Sequence, residues 1–158
     1  MHKILLSFFA LIVITTTSFA QKKLSLKQTE LKNSIDSQHY VFHAQQATAM
    51  AGRTRQLTSE YDMHVTADSI TTYLPYFGRA YSAPLNPTDD GGIKIKTKDF
   101  EYTPQTGKKG GWEITIKPKE HMDVRQLFLT VSADGYATLQ VVSNNRQPIS
   151  FYGYVSKK

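Results

Sequence analysis

From residue 40 to the end of the chain, apolar side chains recur at every second position. In the clearest stretch Tyr61, Met63 and Val65 alternate with Glu60, Asp62 and His64. That period marks an extended strand with one dry face and one wet face. It returns at Trp112, Ile114 and Ile116, at Leu127, Leu129 and Val131, and at Ile149, Phe151, Gly153 and Val155. The pattern predicts strands over residues 40–50, 56–66, 69–74, 93–97, 100–103, 112–117, 126–132, 136–143 and 149–155. The Ala and Gln residues of 40–50 also leave a helical reading of that segment open.

Turn formers separate the strands. Gly52-Arg53, Ala67-Asp68, Lys98-Asp99, Asp134-Gly135 and Asn144-Asn145-Arg146 each predict a short reversal, with Asp-Gly the strongest hairpin signal of the set. The tip at residues 107–111 is rich in Gly and Lys. About eight to nine short strands joined this way make an antiparallel meander. A meander of that length protects its edges by closing into a small barrel or by folding over as a β-sandwich. The barrel is the expected form, the sandwich the alternative.

The period changes before residue 40. Leu24, Leu31 and Ile35 fall on one side of a helix over residues 24–37, opposite Lys27, Glu30 and Lys32. Ser25 and Gln28 have the spacing of a capping box. Too short to stand alone, such a helix must pack on the sheet. Residues 1–20 read differently: a basic start at Lys3, an apolar run over 4–14, and small residues up to Ala20. That is the grammar of a signal peptide, and the apolar run is shorter than the roughly 20 residues that span a bilayer. The expected division is a signal peptide at 1–20, a helical segment at 21–39 and one antiparallel β domain at 40–158. The expected location is periplasmic or secreted, after cleavage near Ala20.

Composition narrows the chemistry. The chain has no Cys, so disulfides, thiol catalysis and Cys-ligated metals are excluded. Its formal net charge of +6 is spread over strands and turns, which suits solubility better than nucleic-acid binding. An envelope protein, a glycan or a small apolar ligand stays open as a partner, and no cofactor is indicated.

Residues 72–84, TYLPYFGRAYSAP, stand out. Their one charge is Arg79, set among Tyr73, Tyr76, Phe77 and Tyr81. Pro75 restricts Leu74, and Gly78 permits a sharp bend. Aromatics beside one Arg are what recognition surfaces use. Two roles are open for the loop. Tyr73, Tyr76, Phe77, Arg79 and Tyr81 form a candidate binding site, or the rings plug the barrel end while Arg79 satisfies a carbonyl or carboxylate.

Other candidates are weaker. Asp36, His39 and His43 would share a helix face at metal-ligand reach, but on a strand the two His lie roughly 13 Å apart. Glu60, Asp62 and His64 read as a solvated charge ladder. Asn86, Asp89 and Asp90 lack the ligand spacing of a calcium loop. A carboxylate pair drawn from Glu60, Asp99, Glu101 and Glu113 needs the fold to assemble it. The motifs of serine hydrolases, zinc proteases, phosphate loops and dinucleotide sites are absent. No catalytic or metal-binding residue is nominated.

Four stretches carry a resemblance: LPYFGRAYSAP at 74–84, GGIKIKTKDFEY at 91–102, VSADGYATLQVVS at 131–143 and SNNRQPISFYGYV at 143–155. In these the chain resembles a bacterial secreted family known as domain of unknown function 4251, over most of its length from about residue 40. The resemblance implies an exported one-domain protein and supplies neither activity nor fold. The expected function is a non-enzymatic exported β domain that binds through its aromatic loop or acts in the cell envelope. A lipocalin-like barrel for a small apolar ligand is the alternative, and a hydrolase stands third. Bulky residues expected to point inward (Tyr61, Trp112, Leu127, Leu129, Phe151) favour a filled interior over a cavity.

Overall fold

The structure is a computed structural model that describes residues 28–50, 52–81, 91–119 and 123–158. The signal-peptide reading, the Ser25 cap, Leu24, and the turn residues Asn86, Asp89 and Asp90 lie outside these. Helix α1 occupies residues 28–36. Nine strands follow among the described residues: β1 Tyr40–Ala49, β2 Thr54–Val65, β3 Ile70–Leu74, β4 Ile93–Thr97, β5 Phe100–Thr106, β6 Trp112–Pro118, β7 Val124–Val131, β8 Tyr136–Ser143 and β9 Ile149–Lys157. They form one antiparallel sheet in the order β4-β3-β2-β1-β9-β8-β7-β6-β5. This is a nearly closed meander barrel. The 40–50 segment is strand.

Closure depends on two features. The first joins the ends of the domain, with Tyr40 opposite Lys157 and Ala49 opposite Ile149. The second lies at the two sheet edges, β4 and β5, which are consecutive in the chain. Following the antiparallel pairings around the sheet, β4 and β5 run in the same sense. Lys98-Asp99 is therefore a bend within one long strand, not the reversal expected from its composition. Thr97 holds the bend: its Oγ1 accepts the Asp99 amide at 3.1 Å. Thr97 and Phe100 both turn inward although three residues apart, so the bend switches parity as a bulge does. β4 pairs with β3, and β5 pairs with β6.

The described interior is one apolar cluster. Phe42, Met63, Ile70, Leu74, Ile95, Ile114, Ile116, Leu127, Leu129 and Phe151 are almost fully buried and belong to one cluster. Tyr61 and Trp112 pack against it from the margin.

Helix α1 covers one barrel end, where Leu31 and Ile35 join the core. Its exit is a Schellman turn, with His39 N–H on Ser34 O at 2.8 Å and Gln38 N–H on Ile35 O at 3.1 Å. Gln38 occupies the left-handed position at φ 52°, a site that ordinarily favours Gly. The Tyr102 hydroxyl donates to Ile35 O at 3.3 Å and so receives the Tyr40 hydroxyl, also at 3.3 Å. The described residues contain no helix long and apolar enough to cross a membrane.

This tyrosine pair sets an alkaline limit. Burial pushes Tyr102 up to about 12 and raises Tyr40 well above the ordinary value of 10.0. The folded state keeps these protons where the unfolded chain has released them, so stability is full below about pH 10 and declines as pH rises towards 12. Urea midpoints measured from pH 8 to 12 are expected to fall for the native chain and to fall less steeply for Tyr102→Phe. Parallel curves would remove Tyr102 from the account.

Candidate functional site

The aromatic loop leaves the end of β3 and crosses the barrel end opposite α1. Leu74 and Pro75 turn inward and are buried. Tyr76 folds back over Gly78, where even a Cβ would collide with the phenol ring. Its hydroxyl lies 2.8 Å from Arg79 O and 3.0 Å from Gln147 O. Gln147 N–H donates to Arg79 O at 3.0 Å, Tyr81 N–H donates to Asn145 O at 2.8 Å, and Ala80 bridges to Arg146. The loop is thus stitched to the β8–β9 connection, and burial raises the Tyr76 phenol.

The cation that organises this end is Arg146, not Arg79. Arg146 Nε meets Asp123 Oδ2 at 2.7 Å, its Nη1 donates to the Gly91 carbonyl, and its guanidinium lies 5.3 Å from the centre of the Tyr76 ring. From the sequence, Arg146 reads only as part of a turn. Arg79 is exposed.

The five nominated residues therefore divide. Tyr76 is a fastener. Phe77 is 39% exposed, with the Arg55 guanidinium 4.8 Å from its ring centre. Tyr81 is 70% exposed. Tyr73 points outward from β3 and contacts Tyr61 and Lys94. Phe77, Arg79 and Tyr81 are each exposed on one pinned loop, and Tyr73 stands on the neighbouring wall.

A second surface was not singled out in the sequence. Around Gly153 the β9 strand places Tyr152 and Tyr154 outside, while Phe151, Gly153 and Val155 are buried. Tyr136 of β8 lies directly opposite Tyr154. The Tyr136 and Tyr152 rings are stacked within 10° at 6.2 Å, and Tyr154 stacks on His43 at 4.8 Å.

His43 is held at both ring nitrogens: Nδ1 lies 2.8 Å from Asp62 Oδ1, and Nε2 lies 2.8 Å from Ser156 Oγ. The three residues come from adjacent strands, and Asp62 turns to His43 instead of standing in a solvated ladder. The order Asp-His-Ser is that of a nucleophile relay. Ser156, however, is not among the residues lining the neighbouring depression, which His43 and Asp62 do line. The arrangement fixes the imidazole. Among the described residues no group of three or more His, Asp and Glu could hold a metal ion. Asp99 and Glu101 meet only across Lys119, at 3.7 and 3.9 Å.

The depression beside His43 exists because the wall is interrupted. The β1–β2 register jumps from Ala44↔Tyr61 to Gln46↔Gln56, so one residue of β1 faces four of β2. The strands part there around an open, polar volume of about 490 Å³.

A solved structure of a DUF4251 family protein from Bacteroides eggerthii DSM 20697 superposes with a TM-score of 0.61, at 19% identity, covering 84% of this chain and 88% of that one. At that identity it bears on the fold alone. None of the curated proteins matches the chain. The model of the domain of unknown function DUF4251 matches residues 22–155. With nearly the whole β domain inside that match, the chain belongs to the DUF4251 family.

Proposed function

We propose that the protein is an exported, non-enzymatic β domain that recognises an envelope partner through its aromatic loop. One observation carries the reading: the loop is fastened by the Tyr76 hydroxyl, while Phe77, Arg79 and Tyr81 stay exposed. A backbone held in place presents these side chains without the ordering cost of a free loop. Two apolar rings and a guanidinium are the residue types that dominate protein recognition. The periplasm or the outside of the cell is the proposed location, reached after cleavage near Ala20.

The other two readings find less support. A carrier of an apolar ligand needs an open interior, and Phe42, Phe151, Met63 and their neighbours occupy it. A hydrolase needs its nucleophile to face the substrate space, and Ser156 does not line the depression beside His43.

The test is capture of partners from an envelope extract of the host. Phe77→Ala, Arg79→Ala and Tyr81→Ala together are expected to leave the urea midpoint nearly unchanged and to lose a partner that the native chain retains. Tyr76→Ala should instead cost about 1–3 kcal/mol, because the one hydroxyl proton that the Arg79 and Gln147 carbonyls share is lost, while Arg79 O keeps only the Gln147 N–H. Protein from the same host should begin near Gln21. A triple variant that captures the same proteins as the native chain defeats the loop reading, and an intact amino terminus defeats export.

A further inference from the structure

We propose that the outer face of β8 and β9 binds a neutral oligosaccharide, laid across the strands from Glu113 to His43. The site is separate from the aromatic loop and goes beyond the function proposed for it.

Three open depressions adjoin on this face. One of about 470 Å³ has Trp112, Thr130, Thr138, Tyr136 and Tyr152 in its lining. A second, of about 360 Å³, shares Tyr136 with the first. It shares Tyr154 and Gln45 with the third, the 490 Å³ depression beside His43. The three make one track with the tyrosines standing along it. It spans the β6-to-β2 part of the sheet, about 24 Å at the usual strand spacing.

The tyrosines are 56%, 43% and 39% exposed at positions 136, 152 and 154. Tyr gives a flat apolar face with a hydroxyl at its tip, and ordering it costs little entropy. Sugar rings match such a surface, since their C–H faces stack on it and their hydroxyls project sideways. Two tyrosine rings lie within 10° of parallel. A third stacks on an imidazole that Asp62 and Ser156 hold still.

Charge selects the class of ligand. The chain carries +6 overall, yet the track is lined by four carboxylates (Glu60, Asp62, Glu113, Asp134) against the single cation Lys108. Anionic polymers are repelled from such a lining. Gln45, Gln46 and Gln56 add amides that donate as well as accept. Mixed donors and acceptors fit hydroxyl groups, which do both; a cationic peptide would use the acceptors alone.

Affinity electrophoresis of the full-length protein tests the site, with xylan, galactomannan, glucomannan and hydroxyethylcellulose as neutral probes and polygalacturonate as the anionic one. At least one neutral polysaccharide is expected to retard the native protein. Tyr136→Ala with Tyr152→Ala, and Tyr154→Ala alone, should each weaken that retardation about tenfold or more. Tyr152→Phe, which keeps the ring, should preserve it. Phe77→Ala with Arg79→Ala should also preserve it, so the two surfaces stand or fall separately. Circular dichroism of the exposed-tyrosine variants confirms that they are folded. The proposal is overturned if no neutral polysaccharide retards the protein, if the alanine variants bind as the native chain does, or if only polygalacturonate binds.

Discussion

Gly153→Ala is expected to destabilise the domain by about 3 kcal/mol or more, a large share of the 5–15 kcal/mol that holds a typical domain together. The reason is a backbone approach, not a special dihedral. A Cβ at position 153 would overlap the His43 carbonyl oxygen, with His43 C at 2.9 Å and Ala44 Cα at 3.2 Å. All three obstacles are main chain of β1, which is paired with β2 on its other side and cannot retreat alone. The approach lies where β1 begins its bulge: Ala44 faces Gly153, and Gln46 faces Tyr152. The missing side chain therefore also supports the breach beside His43. Urea unfolding measures the effect, with Gly52→Ala as the comparison. There the first obstacle is the Ala49 Cβ at 3.2 Å in an exposed turn, so a small shift is expected. Equal midpoints for Gly153→Ala and the native chain would mean that β1 and β9 are not so close.

Alternation of wet and dry positions was enough to predict the strands, because one face of each is buried and a shift by one residue would turn it inside out. Pairing across the closure was not legible, since nothing local tells Tyr40 that it lies opposite Lys157. The same limit hid the His43 cluster, whose members are 19 and 113 residues apart. At Lys98-Asp99 composition misled: a polar pair suits a bend as well as a reversal, and only the pairing of β4 and β5 with different neighbours distinguishes them. Arg146 looked like turn chemistry because its partners Tyr76, Gly91 and Asp123 come from other parts of the chain. The outer tyrosines did leave a signal. Tyr152 and Tyr154 occupy the wet positions of a strand whose dry positions are Phe151, Gly153 and Val155. The denser aromatics between Tyr61 and Tyr102 outweigh it.

Phe151→Ala is expected to cost about 3–5 kcal/mol, the usual range for removing a buried aromatic. Phe151 is fully buried near the start of β9, opposite Ala47 on β1 and Leu139 on β8. The inward residues of β1 at this level are Ala44, Ala47 and Ala49, so the phenyl ring fills space that its small neighbours leave. Large against small across facing strands is how a narrow barrel reaches native packing density. Deleting the ring leaves an apolar void, of the kind that stays dry and admits a small apolar molecule. Two measurements then decide between a filled barrel and a carrier. The urea midpoint of Phe151→Ala should drop sharply, and benzene should stabilise the variant while leaving the native chain unmoved. A native chain that binds benzene, or a variant that loses almost nothing, would mean that the interior has slack, and the apolar-ligand reading would then outrank the aromatic loop.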